Sequence, residues 1–176
     1  MASARAGNVI GGGDWSEDRL VSDIVRSFTA GEPVRIRQPN AVRPWQHVLD
    51  AISGYLLLTE QLSDEPGQKA EGFNFGPPAD DAKPVSYIVN HVASLWGGNW
   101  SRDADPGPHE ARFLRLDSSK ARETLGWRPR LTLDDALEWI VAWHRAYDDG
   151  VDMRAITLQQ IDRYQGIETN IRELAT

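Results

Sequence analysis

Residues 4–15 read ARAGNVIGGGDW, an apolar run entering three consecutive glycines. A phosphate-cradling loop needs glycines at fixed offsets between a strand and a helix, so that backbone N–H groups face a pyrophosphate. Here glycines fall at 7, 11, 12 and 13, and no interval gives G-x-G-x-x-G, G-x-x-G-x-x-G or a loop ending in Lys-Ser/Thr. The stretch therefore reads as a short strand over 4–10 followed by a flexible turn at Gly11–Gly13.

Outward from this turn, helical and strand periodicities alternate. Leu20, Val21, Ile24, Val25 and Phe28 recur at helical spacing, and Gly31 with Pro33 supplies the stop. The stretch PVRIR, 33–37, alternates apolar and basic residues like a strand, and QPNAVRP breaks it. A second helix from Val48 predicts an apolar face of Leu49, Ile52, Leu56 and Leu62. FNFG, 73–76, suggests a buried strand, and VSYIVNHVASLWG a third helix closed by Gly97 and Gly98. RFLRLD, 112–117, alternates like a strand, with Asp117 a candidate N-cap and Gly126 the C-terminal stop of a short helix between them. The clearest helix follows Thr132, with an apolar stripe of Leu133, Ala136, Leu137, Ile140, Val141 and Tyr147. Thr132 and Asp135 hold capping-box positions, Gly150 is its stop, and a last turn or two around TLQQIDRY closes the chain. No series of β-rich runs builds a parallel-sheet core, so the pattern is an α+β portion rather than a self-sufficient doubly wound domain.

Composition bounds the function. A length of 176 residues suits one domain spanning 1–176. The net charge of −7, with no basic tract, argues against nucleic acid and against an anionic membrane surface. Cysteine is absent and the four histidines lack metal-ligand spacing, so thiol chemistry and a metal site are not expected. No apolar run approaches the ~18 residues of a membrane span, and the expected location is the cytoplasm. Seven tryptophans, among them Trp15, Trp45, Trp96 and Trp127, read first as core anchors, with stacking on a base or sugar the alternative.

Asn8, Arg19, Arg43, His109 and Glu110 fall in predicted loops or at element ends, where binding groups concentrate. Arg43, between a strand and the second helix, could hold a diphosphate bidentately with help from helical N–H groups; a plain surface arginine is the alternative.

The order RAGNVIGGGDW, VRPWQHVLDA, FNFGP, PHEA and LGWRPRL along nearly the whole chain resembles the carboxyl half of the extended short-chain dehydrogenase/reductase group. Within that group it is most similar to the 4,6-dehydratase branch that acts on CDP-glucose. The resemblance implies an α/β enzyme of which this portion is the substrate-binding part, mostly helices with a few short strands. It implies CDP-glucose or a related nucleotide sugar as partner, NAD as the family's cofactor, and a nucleotide-binding N-terminal half outside these residues. Carried over by position, Asn8 contacts the diphosphate or sugar, Arg43 the phosphates and Glu110 the nucleotide ribose. Arg19 and Leu20 line the nucleotide pocket, and His109 lies beside Glu110. In related epimerases an arginine stands three residues before that acidic position, and this sequence has Gly107 there.

The family's glycine motif is missing from these residues, as is its catalytic Tyr-x-x-x-Lys. Tyr55, Tyr87, Tyr147 and Tyr164 are followed four positions on by Thr59, His91, Val151 and Glu168. The expectation is a chain that binds but does not turn over. Two alternatives stay open: a portion of another nucleotide-sugar epimerase or dehydratase, and a non-catalytic binding fragment.

Overall fold

A computed structural model of the chain describes residues 1–64, 69–105 and 111–167. Its elements run β1 (Ser3–Ala6), β2 (Asn8–Ile10), α1 (Leu20–Thr29), β3 (Val34–Ile36), β4 (Val42–His47), α2 (Val48–Asp64), β5 (Gly72–Phe75), β6 (Ala82–Pro84), α3 (Val85–Trp96), β7 (Trp100–Arg102), α4 (Ser119–Leu125), α5 (Leu133–Asp148) and α6 (Met153–Gly166). The strands form three small sheets: β1 with β5 in parallel, β3 with β7 in parallel, and β2–β4–β6, in which β4 runs parallel to β2 and antiparallel to β6.

The main core lies where α1, α3 and α5 meet. Val21, Ile24, Val25 and Phe28 of α1, Ile88, Val89 and Val92 of α3, and Leu133, Leu137, Ile140 and Val141 of α5 cluster there with Val34, Ile36, Ile10 and Trp45. These are the positions that 3.6-residue periodicity selects, and each buried aliphatic or aromatic side chain contributes roughly 1.5–3 kcal/mol by leaving water. A second cluster packs Phe73 and Phe75 of β5 against Leu58, Ala121, Leu125 and Trp127. The Thr132 hydroxyl accepts the Asp135 N–H at 3.1 Å, forming the expected cap of α5, and Gly97 and Gly126 end α3 and α4 in the left-handed conformation.

Several expectations are corrected. The strand over 4–10 breaks at Gly7 into β1 and β2, which pair with different partners; a Cβ at Gly7 would lie 2.5 Å from the Pro44 carbonyl oxygen. VRPWQH, read as a break and a loop, is the six-residue strand β4. RFLRLD is not a strand: it makes one bridge, Phe113 to Val42, and Phe113 and Leu114 stand exposed. Ser118, not Asp117, is the N-cap of α4, although the Asp117 carboxylate accepts the Ser119 N–H at 2.8 Å. On α2 the buried side is Asp50, Ala51, Gly54 and Leu58, while Ile52 and Leu56 are exposed. Tyr147 and Trp15 are also half-exposed, and α6 is a full 14-residue helix rather than a turn or two.

Candidate functional site

Tertiary burial leaves one large open cavity, of about 620 Å³, between β2, β3, the start of β4 and the N-terminal turn of α1. The period of β3 explains its polarity. Val34 and Ile36 point into the core, so Arg35 and Arg37, on the alternate positions, are exposed and line the cavity. Arg19, the residue capping the N-terminus of α1, and Arg43, the second residue of β4, add two more guanidinium groups. Four arginines around one concavity, with Asn8 on its β2 wall, outnumber the three carboxylates of Asp14, Asp18 and Asp23 there and supply guanidinium forks for an anion in a chain of net charge −7.

Each wall is fixed by the fold. Asn8 sits opposite Trp45 in the β2–β4 register, and the Trp45 indole N–H donates to the Lys83 carbonyl at 3.0 Å. Arg43 Nη1 donates to the Val42 carbonyl at 3.0 Å and to the Ala111 carbonyl at 2.7 Å, which ties β4 to the segment beyond residue 110 and holds the guanidinium at the rim. Leu20 is half-buried against the main core and orients the first turn of α1. Asp14, Asp18 and Asp23 share the lining. Burial pushes the Asp14 carboxyl up, but the Ser16 N–H it accepts at 3.0 Å and the nearby Arg19 outweigh this and hold it below the usual carboxylate value. Arg35 has no hydrogen-bonding or ionic partner among the described residues.

The structure thus brings Asn8, Arg19, Leu20 and Arg43, four of the residues named from the sequence, to one cavity, while His109 and Glu110 lie outside the described residues. Arg43 is corrected in one respect. It stands within a strand, and the helix end at the cavity is that of α1, because six residues of β4 carry the chain away before α2 begins at Val48. Arg35, Arg37 and Asp18 were missed. The alternation of PVRIR already placed both arginines on one face, and that was the available signal.

Of the glycine turn, Gly11 lines this cavity while Gly12 and Gly13 turn away from it. A Cβ at Gly12 would lie 2.3 Å from Cγ of Trp143, and Gly13, at φ +78°, faces the same indole. The space beside the turn is filled by a tryptophan, so the described residues do not fit the pyrophosphate of a dinucleotide there. Among the described residues no group of three or more His, Asp or Glu converges as a metal site.

No family model matches the chain. It is 48% identical over 171 residues to the CDP-glucose 4,6-dehydratase of Salmonella typhimurium, a match covering 96% of this chain and 48% of that enzyme. Among solved structures, the UDP-glucose 4-epimerase of Thermotoga maritima with UDP-glucose superposes with a TM-score of 0.69 at 25% identity, over 83% of this chain and 46% of that one. The dTDP-glucose 4,6-dehydratase of Bacillus anthracis in complex with NAD superposes with a TM-score of 0.68 at 19% identity, over 88% of this chain and 47% of that one. The chain spans about half the length of these relatives.

Proposed function

We propose that the chain is part of an extended short-chain dehydrogenase/reductase of the nucleotide-sugar epimerase and dehydratase kind, and that its arginine-lined cavity binds a nucleotide sugar, CDP-glucose before others. The residues form the substrate-binding part of a CDP-glucose 4,6-dehydratase, which removes water from CDP-glucose to give CDP-4-keto-6-deoxyglucose. The observation that carries this reading is the convergence of Arg19, Arg35, Arg37 and Arg43 with Asn8 on one cavity large enough for such a ligand. A diphosphate has two charged groups to satisfy, and a guanidinium fork satisfies each with paired, charge-assisted hydrogen bonds. By resemblance alone, Glu110 is assigned to accept from ribose hydroxyls, with His109 beside it in sequence; both lie outside the described residues.

Binding and turnover separate in this chain. No tyrosine stands four residues before a lysine, so no residue here matches the family's acid–base pair, and the glycine motif for the family's NAD is also missing from these residues. We assign the chain positioning of the sugar nucleotide alone. Proton transfer and the redox step belong to groups outside these 176 residues, contributed by a nucleotide-binding N-terminal half.

Calorimetric titration of the purified chain with CDP-glucose tests this. Saturable binding is expected, weakened in Arg43→Ala by roughly tenfold to a hundredfold, the value of a charged hydrogen-bonded contact, with no 4-keto product when NAD is added. Absence of saturable binding, or an Arg43→Ala variant that binds as well as the parent, overturns the reading.

A further inference from the structure

Asp18 and Arg37 stand side by side in the cavity lining, one from the segment before α1 and the other from the residue after β3. Asp18 Oδ1 and Arg37 Nη2 are 3.8 Å apart, beyond hydrogen-bond reach, with side-chain exposures of 89% and 50%. Neither makes a hydrogen bond to any other described residue. Asp18 is also the one non-glycine described residue with positive φ, +58°, a conformation an aspartate tolerates better than most side chains. The pair therefore presents an acceptor-only carboxylate beside a donor-only guanidinium, both with hydrogen-bonding capacity to spare and both at the edge of a site lined by anion-binding arginines.

Resting on the reading of this cavity as a nucleotide-sugar site, we propose that Asp18 and Arg37 read the base and select cytosine over uracil. Cytosine presents an amino donor at N4 beside acceptors at N3 and O2, so the Asp18 carboxylate accepts from N4 and the Arg37 guanidinium donates to N3 and O2. Uracil reverses the first two positions. Its O4 would face the carboxylate, acceptor against acceptor, and its N3–H would face a guanidinium that can only donate. Discrimination thus comes from the mismatch as much as from the match. Both side chains are solvent-exposed, so their replacement leaves the core intact.

The test is titration with CDP and with UDP, neither carrying a sugar, of the parent chain and of the Asp18→Asn, Arg37→Gln and Arg43→Ala variants. The parent is expected to prefer CDP by roughly tenfold or more, the discrimination of one good paired contact. Asp18→Asn keeps tolerance of the left-handed backbone but gains an amide donor for O4, so UDP binding rises and the preference collapses. Arg37→Gln lowers CDP affinity roughly tenfold and UDP affinity much less. Arg43→Ala weakens both nucleotides and leaves their ratio unchanged. If the parent binds both nucleotides equally, or if Asp18→Asn and Arg37→Gln keep the parental ratio, the base assignment is wrong while the nucleotide site stands. If the parent binds neither, the site itself is refuted.

Discussion

At the scale of single residues, two glycines show why a motif must be read by its neighbours. Gly12 is small because Trp143 lies where its side chain would go, and the same indole stacks on Tyr147 and meets Trp15 and His144 in one aromatic cluster. Gly12→Ala is expected to destabilise the chain by about 1–3 kcal/mol through overpacking. Shortening the opposing ring as well, in Gly12→Ala with Trp143→Leu, should recover part of that loss. Additive effects in this double-mutant cycle, measured by denaturant unfolding, would show that the glycine serves something other than close packing. Much of this scale was legible in the sequence. The failed spacing excluded a phosphate loop, and RPWQHVLD pointed to Arg43. What could not be read was the tryptophan more than a hundred residues away that fills the turn, because nothing local to GGGDW encodes its partner. Asp18 was equally hidden, since nothing local to SEDRL encodes its approach to Arg37.

At the scale of elements, strands were harder to read than helices. β1, β2, β3 and β7 have only three or four residues each, too few for alternation to stand out, and β4 carries Pro44, which argues against a strand in sequence but is tolerated where β4 meets short β6. The helices α1, α3 and α5 followed their apolar period; α2 did not, because Gly54, Ala51 and Leu58 meet β5 and leave Ile52 and Leu56 outside. The β4–α2 junction buries polar groups instead. Gln46 donates to the Phe75 carbonyl at 2.7 Å, and the Asp50 carboxylate accepts the Arg130 N–H and the Tyr164 hydroxyl, each at 2.7 Å. His47 accepts the Leu49 N–H on Nδ1 at 3.2 Å and is otherwise enclosed, so burial drives its imidazole down to about 4. A histidine whose pKa falls on folding gives stability that is present above the unfolded value near 6.5 and lost as pH drops toward 4, on the order of 3 kcal/mol. Asp50, raised by burial, has the opposite sign, so the contribution is isolated by comparing variants. His47→Asn, whose side-chain oxygen can replace Nδ1, should show a shallower loss of thermal midpoint between pH 6.5 and 4 than the parent. An unchanged slope would mean that His47 is not the group that titrates.

At the scale of the whole molecule, the site is assembled almost wholly from the first forty-five residues, folded so that two sheets meet: Asn8 and Arg43 stand on β2 and β4 of one sheet, Arg35 on β3 of another, and residues 18–23 at the start of α1 lie between them. The negative net charge is distributed over the surface, while the arginines are gathered by the pleat of β3, the start of α1 and the register of β2 on β4. The order of motifs in the sequence pointed to Arg19 and Arg43, but not to Arg35 and Arg37, which join them only through the placement of β3. No tyrosine among the 176 residues stands four positions before a lysine, so the function proposed for them is confined to binding.

The most direct test of the central claim is an amide-resolved NMR titration of the chain with CDP-glucose. Shifts that saturate together and map to residues 8–10, 18–23, 34–38 and 42–45, with the Gly12–Gly13 turn little changed, are the result this account requires. Saturable shifts centred elsewhere on the fold, or none in those four segments, would contradict it.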